Sequence, residues 1–532
     1  MTPSWAAGAG LLLRYALRRD RVRLPIVVVV LAGTAALSSA ATAALYPAAA
    51  EQIAAVGAIG SSPALLAVYG PLTGGSLGAL ALWKLGVSGA VVAAVVAVLT
   101  VVRHTRAEED CGRAELVCSA PVGRHAPAMS ALLTAGGFAL ALAMTTGVAL
   151  AVTSVPWADA LAFGAAWGAA AVAFAPVGLV AAEAAGSARV ATTSAVAVVF
   201  ASYLVRAIGD AAGGGRAWLV ALSPVGWAEL VEPFGRHRWW WLAASLGLAL
   251  VCTAVAGSLR ARRDFGVGWL PARPGPSRAS RLLHRPVGLV WRRTRGSFAA
   301  WAVGFVLLGA LCGSVTSQLG GLLDSPQMQR VVAGLGGRQA VSDAFLAAEF
   351  GLLAGVASVV VAAAVLRAAD DERSGRADAV LATPVSRARW LLAQLAVAVV
   401  GGVLLMTGAG LAAGVARGAG VGHLWPDVGQ CLVAALAQTP AVVLVASVAL
   451  ALYGMTRRAA IGVWLVVAGF ILVAELGPAL GASRWILDLS PFTHVAHLPG
   501  GVYDPVAAAW IVVVSIWFAL VGVAAFRRRD IA

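Results

Sequence analysis

About twelve long apolar runs dominate this 532-residue chain and limit what it can fold into. A run of roughly 20 apolar residues can cross a bilayer as a helix, and lipid admits only helices or closed barrels as spanning structures. The composition agrees, because 60% of the residues are hydrophobic and only 12% are charged. We therefore predict an all-α polytopic membrane protein with spans near 24–46, 78–102, 126–153, 157–182, 188–208, 239–257, 298–316, 346–366, 390–413, 429–453, 459–477 and 506–526.

The net charge of +15 reports membrane orientation rather than nucleic-acid binding. Thirty of the 39 basic residues fall in segments that these spans place on one side of the membrane. Such an excess marks the cytoplasmic side. We expect a multi-pass protein with both termini cytoplasmic and no nucleic-acid partner. All but one of the basic residues are arginine, which is typical of a bacterial genome rich in G and C, so the membrane should be a bacterial cell (plasma) membrane.

A polar segment occurs twice, at 108–124 and at 371–387, each time after a long apolar run. Eight of its seventeen positions are identical. Loops that face water drift easily in sequence, so the duplication predicts that both copies contact the same kind of partner. The residues expected at this contact are Glu108, Glu109, Gly112, Arg113, Glu115, Pro121 and Arg124 in the first copy, and Asp371, Glu372, Gly375, Arg376, Asp378, Pro384 and Arg387 in the second.

The residue types in these loops suit docking. Consecutive carboxylates favour the start of a helix, and a glycine allows a tight turn. The proline ends the segment. The arginines can bind carboxylates of a partner through two hydrogen bonds each, or they can fold back onto the local acids. The alternative is that these charges only cap and solvate a cytoplasmic turn.

The repeat extends beyond the loops and divides the chain into two halves. Arg262-Arg263-Asp264 near the end of the first half matches Arg528-Arg529-Asp530 near the end of the second. Six spans per half is an even number, so the halves enter the membrane in the same orientation, as parallel repeats. The predicted organisation is a first half at 1–263, a basic proline-rich cytoplasmic linker at 264–286 and a second half at 287–532.

Two further segments recur in each half. Stretches at 8–22 and 282–296 carry arginines and precede the first span. Each fits either a helix along the cytoplasmic membrane surface or a continuation of the span. Outer segments at 209–238 and 478–505 precede the last span and combine apolar and aromatic residues with Ser-Pro breaks.

This arrangement resembles the ABC-2-type permeases, the membrane subunits of ATP-binding-cassette exporters. The fused halves and the acidic Gly-Arg loops that end in Pro-Val-x-Arg look like the actinobacterial tetronasin-resistance and multidrug exporter branch. The resemblance implies that the loops are coupling helices on a nucleotide-binding subunit. It also implies export of hydrophobic or amphipathic compounds, such as antibiotics, from the cytoplasm or the inner leaflet.

The chain shows no nucleotide-binding machinery of its own. A phosphate-binding loop needs a lysine, and the single lysine, Lys84, falls within a predicted span. We therefore expect a transport subunit without enzymatic activity and without a cofactor. Two copies of an ATP-binding-cassette ATPase would supply ATP and Mg²⁺. Membrane lipid and a hydrophobic small-molecule substrate would be the other partners.

A proton-coupled drug transporter of the major-facilitator type is the main alternative. It shares twelve spans, two parallel halves and a repeated loop between spans two and three. Its loop is usually shorter and basic at its end, whereas the loops here are acidic and close on Pro-Val-x-Arg. An ion channel or a structural scaffold is a further alternative.

Charged residues within spans are functional candidates, because a charge in lipid is costly. Lys84 and Glu349 fall at nearly equivalent depths of spans two and eight, as do Arg206 and Glu475 in spans five and eleven. The resemblance places these four spans along the translocation path. Lys84–Glu349 and Arg206–Glu475 are therefore candidate gate pairs between the halves, although each residue could reach the outer surface or pair within its own half.

Other polar and aromatic residues have two interpretations. Glu183, near the inner end of span four, is expected to face cytoplasmic water. His494 and His497 are interpreted as surface residues, and neither they nor the five cysteines predict a metal site. The aromatic residues on the presumed lining spans could contact substrate or pack between helices; they are Trp83, Phe200, Tyr203, Phe350 and Phe470.

Overall fold

The computed structural model describes residues 6–45, 63–153, 155–212, 218–264, 266–269, 278–322, 338–456, 459–476 and 483–529. Regular structure in these ranges is helical. The chain divides into two compact units, Met1–Pro274 and Gly275–Ala532. The division falls within the stretch 264–286.

The helices of the first unit are α1 (Ala9–Arg19), α2 (Arg23–Leu45), α3 (Pro63–Tyr69), α4 (Leu77–His104), α5 (Arg106–Asp110), α6 (Arg113–Cys118), α7 (Ala126–Val152), α8 (Trp157–Ala184), α9 (Ala188–Ala212), α10 (Trp218–Leu222), α11 (Gly226–Leu230) and α12 (Trp240–Arg262). Those of the second are α13 (Pro286–Leu322), α14 (Arg338–Arg373), α15 (Arg376–Leu381), α16 (Arg387–Val421), α17 (Leu424–Ala437), α18 (Thr439–Met455), α19 (Ala459–Leu476), α20 (Arg484–Leu487) and α21 (Pro505–Arg528), with 3₁₀ turns at Arg281–His284 and Pro491–Thr493.

Eleven apolar helical segments of the described residues are long enough to cross a membrane, with α17 and α18 together forming one of them. This confirms the predicted all-α polytopic class. The run at 459–477 forms α19, which has 18 residues. At 1.5 Å per residue it is about 27 Å long, near the lower limit for a span. The run at 429–453 is interrupted at Gln438, just before Thr439-Pro440.

The two basic stretches ahead of the first spans behave differently. In the first unit, α1 is a separate helix that is followed by Asp20, whose carboxylate lies 2.6 Å from His104 and 3.3 Å from Arg103. In the second unit, α13 begins at Pro286 and continues into the span. Of the two alternatives, a helix separate from the span is found for 8–22, and a continuation of the span is found for 286–296.

The loop, the helix before the first span and the end of the last span meet at one end of each unit, which we call the loop end. In the first unit, Arg19 pairs with Glu108, and Arg263 pairs with Glu109. In the second, Arg293 pairs with Asp371, and Arg529 pairs with Glu372. The opposite end of each unit, which we call the far end, carries the segments before α12 and α21.

Small residues bring the spanning helices close together. In the first unit, α4 packs on α8 where Gly89 faces the ring of Trp167, which is fully buried. A Cβ at Gly89 would lie 2.1 Å from that ring. In membranes, van der Waals contact between helices replaces much of the hydrophobic driving force, so glycine and alanine concentrate at such contacts. Each unit therefore buries its own core of alanine, valine and aromatic residues.

Candidate functional site: the duplicated loops

Both loops turn at a glycine and then form a short helix. In the first, α5 ends at Asp110, and Gly112 has φ 74° immediately before α6. In the second, α14 continues to Arg373, and Gly375 has φ 70° immediately before α15. Backbone of this left-handed kind suits glycine because a Cβ is disfavoured there. The predicted glycine turn is therefore present in both copies.

The second acid of each loop is turned into its own unit. Glu109 Oε1 lies 2.6 Å from Arg263 Nη2, and Arg106 Nη1 donates to its other oxygen at 3.0 Å. Glu372 Oε2 lies 2.5 Å from Arg529 Nη2 and accepts a hydrogen bond of 2.8 Å from the Tyr453 hydroxyl. The Glu109 and Glu372 side chains are only 4% and 2% exposed.

The last arginine of each loop binds the backbone at the end of the last spanning helix. Arg124 Nη2 donates to the carbonyl oxygen of Arg260 at 2.5 Å and to that of Arg263 at 3.1 Å. Arg387 Nη1 donates to those of Arg527 at 3.3 Å and Arg529 at 2.8 Å. We call the three residues Glu109, Arg124 and Arg263, and their counterparts Glu372, Arg387 and Arg529, the loop clamps. Each clamp fixes its loop to the end of the last spanning helix.

The first acid of each loop bridges two arginines. Glu108 accepts from Arg113 Nε at 2.8 Å and pairs with Arg19 of α1. Asp371 accepts from Arg376 Nε at 2.9 Å and pairs with Arg293 of α13. The loop arginine thus folds back onto the local acid, as the alternative interpretation allowed. Together with the clamp, this ties each loop to the last span of its unit and, at the other side, to α1 in the first unit and to α13 in the second.

These contacts bear on the predicted contact surface, which stays a prediction. Glu109 and Glu372 are buried in ion pairs inside their own units, so their side chains hold the loop in place. Arg124 and Arg387 bind backbone carbonyls at the end of the last spanning helix. The predicted contact residues that are exposed are Arg113, Glu115, Pro121 and Arg124 in the first loop, and Gly375, Arg376, Asp378 and Pro384 in the second. Leu116, at 77% exposure, lies beside them on α6.

Glu183 is not at a water-facing position, and that expectation is wrong. Its side chain is 1% exposed and accepts from Arg260 Nε at 2.9 Å, and it also pairs with Arg263. The same two arginines approach Glu109, so the clamp of the first unit is part of a larger buried network. Arg260 and Arg263 are spaced about one helical turn apart in the sequence, which is the signal that could have predicted this site.

The candidate gate residues have neighbours within their own units. The Arg206 side chain is fully buried, with Nε 2.5 Å from Asp210 Oδ2 and 3.3 Å from Glu229 Oε2. Arg206 thus pairs within its own half, which was the alternative. The side chain of Glu475 lies outside the described residues, so the Arg206–Glu475 pair stays a prediction. Lys84 is exposed, and Glu349 is half-buried, with Cys312 Sγ 3.8 Å from its Oε2. The Lys84–Glu349 pair stays a prediction.

The candidate path aromatics fall into different environments. Phe350 is fully buried in the core of the second unit, and Phe470 packs against the same core, so both are packing residues within that unit. Phe200 is 51% exposed. Trp83 is buried and donates from Nε1 to the carbonyl of Gly70 at 2.7 Å, while the Tyr203 hydroxyl donates to that of Val68 at 3.2 Å.

Two buried charge clusters at the far ends were missed by the sequence interpretation. One is Arg206 with its two carboxylates. The other lies in the second unit, where Arg417 is 3.3 Å from Asp343 and 3.2 Å from Asp427. The spacing of Arg206 and Asp210, four residues apart in one helix, was a usable signal. The remaining members come from distant parts of the chain.

A substitution of the glycine at the loop turn tests the effect of backbone strain without a steric clash. Nothing lies within 4 Å of a Cβ built on Gly112 or Gly375, so an added methyl group meets no neighbour. We expect Gly112→Ala to cost about 1 kcal/mol of unfolding free energy, since alanine resists positive φ. Gly112→Asn should cost less, because asparagine tolerates this backbone. Thermal unfolding of the purified variants measures the difference, and equal losses for both would contradict it.

Long apolar helices in two units, each with a clamped polar loop at one end, define a multi-pass membrane protein with a duplicated polar loop. The chain is 39% identical over 524 residues to the multidrug efflux system permease protein Rv1217c of Mycobacterium tuberculosis, covering 98% of this chain and 94% of the relative. Residues 283–527 also match the family model described as multidrug efflux system permease Rv1217c, C-terminal domain. The chain belongs to this family of multidrug efflux permeases, as the resemblance predicted.

Proposed function

We propose that this chain is the permease subunit of an ATP-driven exporter that moves hydrophobic or amphipathic compounds out of the cell. The relative named as a multidrug efflux permease supports the class of cargo. One observation carries the proposal. The short loop helices α6 and α15 each expose an acid at the same position, Glu115 in the first unit and Asp378 in the second.

Energy would come from two ATP-binding-cassette subunits, each docked on one loop. ATP and Mg²⁺ would be held there, since the chain has no lysine-bearing phosphate loop. With the loops on these subunits, the loop ends and both termini face the cytoplasm. The loops differ at Asp110 and Arg373, so the two contacts need not be equivalent.

The clamps give a route from loop to spans. A push on α6 is transmitted through Glu109 to Arg263 at the end of α12, and through Glu108 to Arg19 at the end of α1. Buried ion pairs resist separation because each partner would be left as an unpaired charge. The loop and these two helices would therefore move together, which suits a two-state switch between inward-open and outward-open forms.

The test is co-purification of the tagged chain from its native membrane, with measurement of ATP hydrolysis and identification of bound proteins. We expect a protein with a phosphate-binding loop at two copies per chain. The charge reversals Glu115→Lys and Asp378→Lys, on the exposed loop helices, should together lower its retention at least tenfold. Asp488→Lys, an exposed acid at the far end, is the matched control and should retain it.

Either of two results would contradict the proposal. One is a chain that purifies alone and transports substrate with a proton gradient, which would support the secondary-transporter alternative. The other is equal ATPase retention by the loop variants and the control, which would move the contact away from α6 and α15.

A further inference from the structure

An aromatic cavity with a buried carboxylate lies at the far end of the first unit. Its volume is about 50 Å³. Five aromatic side chains and one acid dominate its lining: Tyr69, Trp83, Phe163, Trp167, Phe234 and Glu229. Since one water needs roughly 10–15 Å³ of such space, the cavity has room for about four waters, or for one small head group.

The charges beside this cavity do not balance. Arg206 is one cation facing two carboxylates, those of Asp210 and Glu229. Its two terminal nitrogens are already used, because they donate to the carbonyls of Leu66, Ala67 and Val68 at 2.9 to 3.1 Å. One negative charge is left over in a place that is nearly closed to water. Burial without compensation is costly, so the site favours uptake of a positive charge.

Glu229 is the carboxylate that can take up this positive charge. Its side chain is 9% exposed, and Oε2 accepts no hydrogen bond although it lies 3.3 Å from Arg206 Nε. Among the described residues it is the acid of the cavity lining. Asp210, by contrast, is bonded to Arg206 Nε at 2.5 Å. Burial raises the pKa of Glu229 to about 8, and Asp210, to which Glu229 is hydrogen-bonded, acts in the same direction, so a proton occupies Glu229 when no other cation does.

The aromatic wall fits the same kind of ligand. Aromatic rings attract cations, and groups of them recognise methylated ammonium ions. The indole N–H groups are used elsewhere, since Trp83 donates to Gly70 and Trp167 donates to the carbonyl of Gly86 at 2.8 Å. The Tyr69 and Trp83 rings lie 5.0 Å apart, and those of Phe163 and Trp167 lie 4.9 Å apart. Ring faces therefore make up much of the lining around a single acid, and Tyr69 and Thr73 add hydroxyl groups to it.

We propose that this cavity binds the methylated ammonium or amine head group of an organic cation, with Glu229 as its counter-charge. The apolar remainder of such a ligand would extend out of the cavity. The proposal adds to the proposed function that the exported compound carries a cationic head group. It rests on that function only where the ligand is identified as the exported compound. Binding itself requires no ATPase.

The probe is benzyltrimethylammonium, whose charge does not change with pH, compared with its neutral carbon isostere neopentylbenzene. Titration calorimetry of the purified chain in a non-ionic detergent should show saturable binding of the cation and none of the isostere. Glu229→Gln should weaken binding at least tenfold. Glu232→Gln, an acid of the same segment that pairs with Arg238, should leave it unchanged. Trp83→Leu should weaken binding several-fold.

The pH profile gives a second measurement. Between pH 6 and 8, affinity should rise with pH, approaching tenfold per unit at the acid end, because a proton and the cation compete for Glu229. Arg206 and Asp210 face Glu229 directly, and Tyr203 lies against Arg206. The profile of Glu229→Gln should be flat. Equal binding of the neutral isostere by the unaltered chain, or unchanged affinity in Glu229→Gln, would overturn the proposal. Loss of ATPase retention alone would contradict only the coupled exporter.

Discussion

Arg263→Glu should destabilise the first unit by about 3–5 kcal/mol, because it leaves Glu109 and Glu183 buried and opposed by a third carboxylate. Both acids are at most 4% exposed, so water cannot replace the lost guanidinium. We expect a lower melting temperature and a smaller monodisperse fraction after purification. Arg262→Glu changes the same charge at the adjacent, exposed residue and should be close to neutral.

An exchange of charges tests whether the effect belongs to the ion pair. The double variant Glu109→Arg with Arg263→Glu should recover part of the stability lost in Arg263→Glu, since the two groups lie 2.6 Å apart and can pair again. Recovery should stay incomplete because Arg106 also contacts Glu109. If the double variant is only as stable as the summed effects of the two single substitutions predict, Glu109 and Arg263 are not energetically coupled.

Gly313→Leu should disrupt the second unit through its closest helix contact. A Cβ at Gly313 would lie 2.0 Å from the Ala413 carbonyl oxygen, and one at Gly309 would lie 2.2 Å from that of Ala409. The contact is backbone against backbone, so α13 and α16 can accommodate a side chain only by moving apart. We expect a loss of about 3 kcal/mol or more, at the upper end for overpacking, measured by thermal unfolding of the purified chain.

Gly304→Leu is the matched control on the same helix. Nothing lies within 4 Å of a Cβ at Gly304, so a side chain there begins without a clash and should be tolerated. It also improves helix propensity by roughly 1 kcal/mol relative to glycine. If Gly313→Leu proved as stable as Gly304→Leu, the close approach of α13 and α16 would not hold the unit together.

Some partners could not be predicted from the chain because they are distant in it. Glu109 and Arg263 are 154 residues apart, and Glu372 and Arg529 are 157 apart. The duplication drew attention to these acids but did not indicate their ion pairs within each unit. A repeated loop charge can be retained for a partner or for an internal pair, and local sequence does not separate the two.

Arg206 shows the same limit within a span. Its depth in the helix suggested a counter-charge across the halves, whereas Glu229 reaches it from a short helix of the far end. The pairing of Arg206 with Asp210 could be predicted, because the two residues lie four apart in one helix. Glu229 was not, because the loop that carries α11 has no periodic pattern.

The amino-acid sequence by itself determined the all-α polytopic class and the two glycine turns. These are local properties: an apolar run must become a helix in lipid, and a left-handed turn suits glycine. Only the tertiary structure decided which charges are internal and which face outward. Whether a charge is internal depends on contacts between segments more than a hundred residues apart. A charge that these contacts bury must be paired, because an unpaired charge away from water is costly.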